Sequence, residues 1–101
     1  MQSFLQKHLP EITRILRKHR VQRAYAFGSA CRSDFTEDSD IDLLIAFEED
    51  LDPVAYGTHY FSALDELEQL LQHPIDLVTE RSVQTPSLRR KLAQTRQVIY
   101  E

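Results

Sequence analysis

Two aspartates, Asp40 and Asp42, stand two residues apart where a polar stretch gives way to the apolar run IDLLIAF. Side chains alternate between the faces of a strand. Both carboxylates therefore share one face, roughly 7 Å apart along the chain, while Ile41, Leu43 and Ile45 turn the other way into a core. Like charges held this close repel by roughly a few kcal/mol at an intermediate dielectric, and a divalent cation would offset that cost. Asp76 recurs in a similar setting, the short apolar stretch IDLVT. Three carboxylates on neighbouring strands make a hard-oxygen site that suits Mg²⁺, which prefers carboxylates together with substrate phosphates. Alternating acids on a strand ordinarily mark only its solvated face. The residues before them decide otherwise: Tyr25-Ala26-Phe27-Gly28-Ser29 reads as a strand ending in a small, flexible turn. The backbone N–H groups of such a turn, with the Ser29 hydroxyl, can grip phosphate oxygens. The combination is a phosphate grip beside a metal site.

The elements that must hold these residues can be read from periodicity. Leu5, Leu9, Ile12 and Leu16 keep the spacing of one helix face, with a kink or a late start expected at Pro10. Val21 to Phe27 is a strand, stopped by Gly28. The polar segment from Gly28 to Ser39 holds a turn and one helical turn. The strand from Ile41 to Phe47 is closed by the acidic stretch 48–52. Pro53 opens a helix at its first turn, with Phe61, Leu64, Leu67 and Leu71 on its apolar face and Asp65, Glu66 and Glu68 toward water. His73-Pro74 ends that helix, and Ile75 to Thr79 follows as a strand. Thr85-Pro86 reads as a cap and first position of a short helix through Leu88 and Leu92. QVIY at 97–100 is a last strand. The fold class is α/β: a small mixed β-sheet packed against helices as a two-layer sandwich, with residues 1–101 forming a single domain.

Composition narrows the function classes. Twelve Lys and Arg against sixteen Asp and Glu give a formal net charge of −4, which argues against general nucleic-acid binding and its usual basic surface. A nucleotide substrate stays open, because bound cations offset acidic ligands locally. Cys31 is the one cysteine, so no internal disulfide can form, in keeping with a reducing cytoplasm. No apolar run approaches the roughly 18 residues of a membrane span, and MQSFLQKHLP, without a long apolar stretch or small-residue cleavage site, sets the expectation that the protein is not secreted. The expectation is a soluble cytoplasmic protein. Its modest core leaves room for stabilisation by a homo- or hetero-oligomeric partner.

With these residues in place, the sequence resembles the nucleotidyltransferases of the polymerase-beta type, in particular the minimal nucleotidyltransferases. The matching stretch is GSACRSDFTEDSDIDLLIAF, residues 28–47, with an Arg three positions after the Ser and the Ser-Asp-Ile-Asp-Leu block at the family's spacing. Asp76 in PIDLVTE falls where the family places its third carboxylate. Ser33 and Cys31 depart from the residues relatives often carry, Gly and Ala, and bear on loop shape alone. The resemblance implies the nucleotidyltransferase fold and two Mg²⁺ ions held by Asp40 and Asp42, with Asp76 completing the acceptor-side metal. It implies Gly28 and Ser29 on the β- and γ-phosphates of ATP or another nucleoside triphosphate, and Arg32 near phosphate. Ser39 joins the nucleotide-binding set, chiefly by orienting the loop before the strand.

The resemblance also implies a role. Minimal domains of this family commonly serve as antitoxins, transferring AMP to a tyrosine of a helical HEPN ribonuclease toxin. Two other readings stand beside it: a small-molecule nucleotidyltransferase of the aminoglycoside-inactivating kind, and a non-catalytic module that neutralises a toxin by covering it. Other candidates carry less. His8, His19, His59 and His73 show no metal-like clustering in sequence and read as surface or helix-end residues. Cys31 has no His locally paired with it and reads as a packed thiol. Arg89, Arg90 and Lys91 read as a solvated helix face.

Overall fold

The computed structural model describes residues 3–28 and 41–101. Helix α1 spans Ser3–Lys18, strand β1 Val21–Phe27, strand β2 Ile41–Phe47 and helix α2 Pro53–Leu71. Strand β3 is Ile75–Thr79. A single 3₁₀ turn at Glu80–Ser82 leads to helix α3, Pro86–Thr95, and strand β4, Gln97–Tyr100. The strands form one sheet in the order β3-β2-β1-β4. β1 runs antiparallel to both β2 and β4, whereas β2 and β3 are parallel. The sheet is mixed, as expected.

The α1 expectation resolves toward one continuous helix. It begins at Ser3 and runs through Pro10. Pro10 and Gln6 both face solvent, so the carbonyl that loses its donor there can be hydrated. Leu5, Ile12, Ile15 and Leu16 are buried against the sheet. They join Ala24 and Ala26 of β1, Ile41, Leu43 and Ile45 of β2, Leu67 and Leu71 of α2, and Ile75 and Leu77 of β3 in one core. That core occupies the sheet face carrying α1 and α2. Tyr25 and Leu44 point to the opposite face, where Val83 and Leu92 cover them in a second, smaller cluster. Helix α3 thus adds partial cover to the face that the carboxylates share.

Two assignments on α2 need correction. Phe61 is 68% exposed; the inward stripe runs through Tyr56, Tyr60, Ala63, Leu64, Leu67 and Leu71 instead. Helical spacing fits either set, and the sheet selects the one that meets it. Glu66 and Glu68 do not simply face water. Glu66 bonds Lys18 and His19 of the α1 end, and Glu68 accepts from the backbone N–H of Ile75 at 3.2 Å. The helix ends start and stop for local reasons. Asp52 accepts from the Ala55 N–H at 2.9 Å, Pro53 fills the first turn, and Gln72 takes a left-handed φ of 54° to close the C-terminus ahead of Pro74. Thr85 sits at the cap position of α3, but its side chain makes no capping bond.

Candidate active site

Strand pairing brings two of the sequence-identified acids together. In the parallel ladder Asp42 of β2 lies residue for residue against Asp76 of β3. Neighbouring strands are about 4.8 Å apart and in-register side chains share a face, so the two carboxylates stand side by side. Asp42 also faces Phe27 of β1 across the antiparallel ladder. The three strands present one another's ends at a single edge of the open face, and the acid pair is there because β2 and β3 begin together. The crossover helix α2 makes that possible, since parallel neighbours need a long connection.

Gly28 follows directly on β1 and lies against Asp42. Its φ is +61°, a left-handed conformation that side-chain-bearing residues adopt at a cost. A Cβ built there would lie 3.2 Å from Asp42 Cγ and closer still to Asp42 Oδ2. The backbone therefore runs against the carboxylate, and a side chain there would have to displace it. Asp42 is half-buried and Asp76 exposed, so the pair opens to solvent on one side. Ser29, Arg32, Ser39 and Asp40, with Cys31 and Ser33, lie outside the described residues, as does the turn expected between Gly28 and Ser39.

The donors present suit a hard divalent cation. Two adjacent carboxylates supply anionic oxygens without nitrogen or sulfur, the ligand chemistry of Mg²⁺ rather than of Zn²⁺ or copper. Among the described residues, no group of three His, Cys, Asp or Glu side chains converges as a metal site. The third acid of the expected set, Asp40, is one that the structure does not describe.

Tyr60 of α2 is a neighbour that sequence reading passed over. Its hydroxyl donates to the Leu77 carbonyl at 2.7 Å, the residue after Asp76. Burial first, and then the nearby Asp76 carboxylate, push the Tyr60 phenol above its ordinary range. It stays protonated and ties α2 to the strand that carries Asp76. Its signal in the sequence was its place on the inward stripe with Tyr56 and Ala63. The histidines divide. His19 is only 8% exposed; its Nε2 meets Glu66, and its Nδ1 faces the Nδ1 of His59 at 3.1 Å. With ring centroids 5.3 Å apart, the rings meet almost head-on. That is the line of a shared N–H···N hydrogen bond between α1 and α2. Arg90 and Lys91 are exposed as expected, and Arg89 bonds the Val83 carbonyl through Nε at 2.6 Å. No helix among the described residues is long and apolar enough to cross a membrane.

Comparison with known proteins bears on the family and the fold. The family model described as "Polymerase beta, Nucleotidyltransferase" matches residues 10–101. "Putative protein adenylyltransferase MJ1379" of Methanocaldococcus jannaschii is 34% identical over 94 residues, covering 85% of this chain and 92% of the relative. A solved structure described as a "putative minimal nucleotidyltransferase" superposes with a TM-score of 0.75 at 31% identity, covering 96% of this chain and 95% of that one. The fold is also shared, at a TM-score of 0.65 and 23% identity, with a chain in the complex of a tri-AMPylated Shewanella oneidensis HEPN toxin and MNT antitoxin. That match covers 94% of this chain and 71% of the other. A family match across most of the chain, close relatives of nearly equal length, and an acid pair registered beside a left-handed glycine all converge: the chain belongs to the polymerase-beta nucleotidyltransferase family, among its minimal members.

Proposed function

We propose that the chain is a Mg²⁺-dependent adenylyltransferase that moves AMP from ATP onto a hydroxyl of a HEPN toxin, a tyrosine hydroxyl, and so acts as its antitoxin. One observation carries the chemistry: Asp42 and Asp76 stand in register on adjacent strands, with the left-handed Gly28 backbone running against the Asp42 carboxylate. The names of the similar proteins support the rest, since one is called a protein adenylyltransferase and another structure pairs an MNT antitoxin with an AMP-bearing HEPN toxin.

In this reading Gly28 lets the triphosphate approach the sheet edge, and Gly28 and Ser29 are the residues that would bind the β- and γ-phosphates. Asp40, Asp42 and Asp76 are the residues that would hold Mg²⁺, with Asp76 serving the acceptor side. Mg²⁺ bound there would supply neutralisation of phosphate charge for an in-line displacement. The acceptor oxygen attacks the α-phosphorus, its proton passing to Asp76, and the bond to the β-phosphate oxygen breaks to release pyrophosphate. Catalysis is then mainly positioning and charge stabilisation. Calorimetric titration with ATP tests the site. Binding should require Mg²⁺ and weaken strongly in Asp42→Asn; equal affinity in the presence of EDTA would remove the metal from the account.

A further inference from the structure

A cavity of about 560 Å³ opens on the same sheet face as Asp42, but at the other end of the strands. Its floor is Leu44 and Ala46 of β2 with Val83 and Leu92 above them. Neither Asp42 nor Asp76 lines it. Asp42 and Ala46 are four residues apart, about 13 Å at the rise of a strand. Between them Leu44 is 3% exposed, sealed by Val83 and Leu92. The cavity is therefore a separate space from the acid pair. It sits outside the carboxyl ends of the parallel strands β2 and β3, the place where open α/β sheets characteristically bind ligands, and its volume is that of a small-molecule site.

The charges around it are unevenly matched. Glu80 is held by Arg23 at 2.7 Å, and Glu48 by Arg20 from outside the cavity. That leaves Glu49 against three further guanidiniums at the wall, Arg81, Arg89 and Arg96. None of these three makes an ion pair among the described residues. Each is nevertheless fixed in place: Arg81 lies over the Tyr56 ring at 4.9 Å and Arg96 over the Tyr25 ring at 4.1 Å. Arg89 is anchored through Nε to the Val83 carbonyl. A guanidinium stacked on an aromatic ring keeps its in-plane N–H groups for an anion, and its outer face for a second flat group. An apolar floor under preorganised arginines matches an aromatic body with an anionic end.

We infer that this cavity is a second ligand site, for a mononucleotide-like anion: a flat aromatic body bearing a phosphate. The site needs neither Mg²⁺ nor the acid pair, so it stands apart from the transfer reaction proposed above. The test uses the whole protein with AMP as probe in EDTA, followed by backbone amide shifts. Perturbation should concentrate at residues 44–51, 79–83 and 89–96 and persist in Asp42→Asn. The Arg81→Ala, Arg89→Ala double variant should lose at least about tenfold in affinity, the scale of lost charge-assisted hydrogen bonds, while keeping the wild-type far-UV circular dichroism spectrum at the assay temperature. Adenosine, which lacks the phosphate, should bind at least about tenfold more weakly than AMP for the same reason. The inference is overturned if AMP moves none of these amides, if the double variant or adenosine matches wild type with AMP, or if the shifts centre on Gly28, Asp42 and Asp76.

Discussion

Replacing Gly28 with alanine should damage stability and the site together, by amounts that can be separated. The residue sits at φ +61°, and holding an L-residue there costs about 1–2 kcal/mol. The new methyl would also meet the Asp42 carboxylate, which has Cγ only 3.2 Å away. Asp42 must rotate off its preferred geometry, adding about 0.5–1.5 kcal/mol. The expected total is about 1.5–3.5 kcal/mol, or a fall in Tm of roughly 6–28 °C for a domain of this size. Moving the carboxylate by an ångström would cost about 100-fold in the transfer rate. Thermal denaturation of Gly28→Ala in wild-type and Asp42→Ala backgrounds separates the two parts. With the carboxylate gone, only the backbone part should remain, about 1–2 kcal/mol. Equal destabilisation in both backgrounds would refute the close approach of Gly28 to Asp42, and unchanged stability in both would refute the left-handed turn as well.

Further outcomes follow from other parts of the structure. Asp76→Asn should lose AMP transfer while keeping most ATP affinity by calorimetry; an unaltered rate would return Asp76 to an ordinary strand position. Leu67→Ala should cost about 2–5 kcal/mol in denaturant unfolding, whereas Phe61→Ala, on the exposed side of α2, should stay within about 0.5 kcal/mol. The reverse order would place the sheet on the wrong face of the helix. Tyr100 donates to the Val21 carbonyl at 2.5 Å, and burial pushes its phenol up to about 12. A raised folded value means that the stability it contributes is full below the unfolded phenol value of about 10 and is lost as pH rises toward 12. The Tm should therefore fall across that window, and Tyr100→Phe should flatten the fall.

Much of the fold was legible because its strands are short apolar runs with sharp punctuation. Gly28 ends β1, and β2 and β3 both open with Ile-Asp-Leu. Period two alone put Asp42 opposite the core, but only the parallel pairing, a tertiary fact, put Asp76 beside it. The misread parts share one cause. Phe61 lies one position from the inward stripe, and helical periodicity tolerates that shift until the sheet's position is known. Glu66 and His19 are separated by 47 positions, so their contact between α1 and α2 had no local signature. The left-handed φ of Gly28 was implicit in its residue type, whereas its contact with the Asp42 carboxylate depends on β1 and β2 pairing antiparallel.

The central claim is transfer of AMP to a protein hydroxyl, and intact mass spectrometry tests it most directly. The wild-type chain, mixed with a HEPN partner, ATP and Mg²⁺, should raise the partner's mass by one AMP or a small multiple. The Asp40→Asn, Asp42→Asn double variant should still bind that partner and leave its mass unchanged. An unmodified partner in the presence of the wild-type chain, or a double variant that protects cells from the toxin as well as wild type does, would contradict the account and favour neutralisation by binding alone.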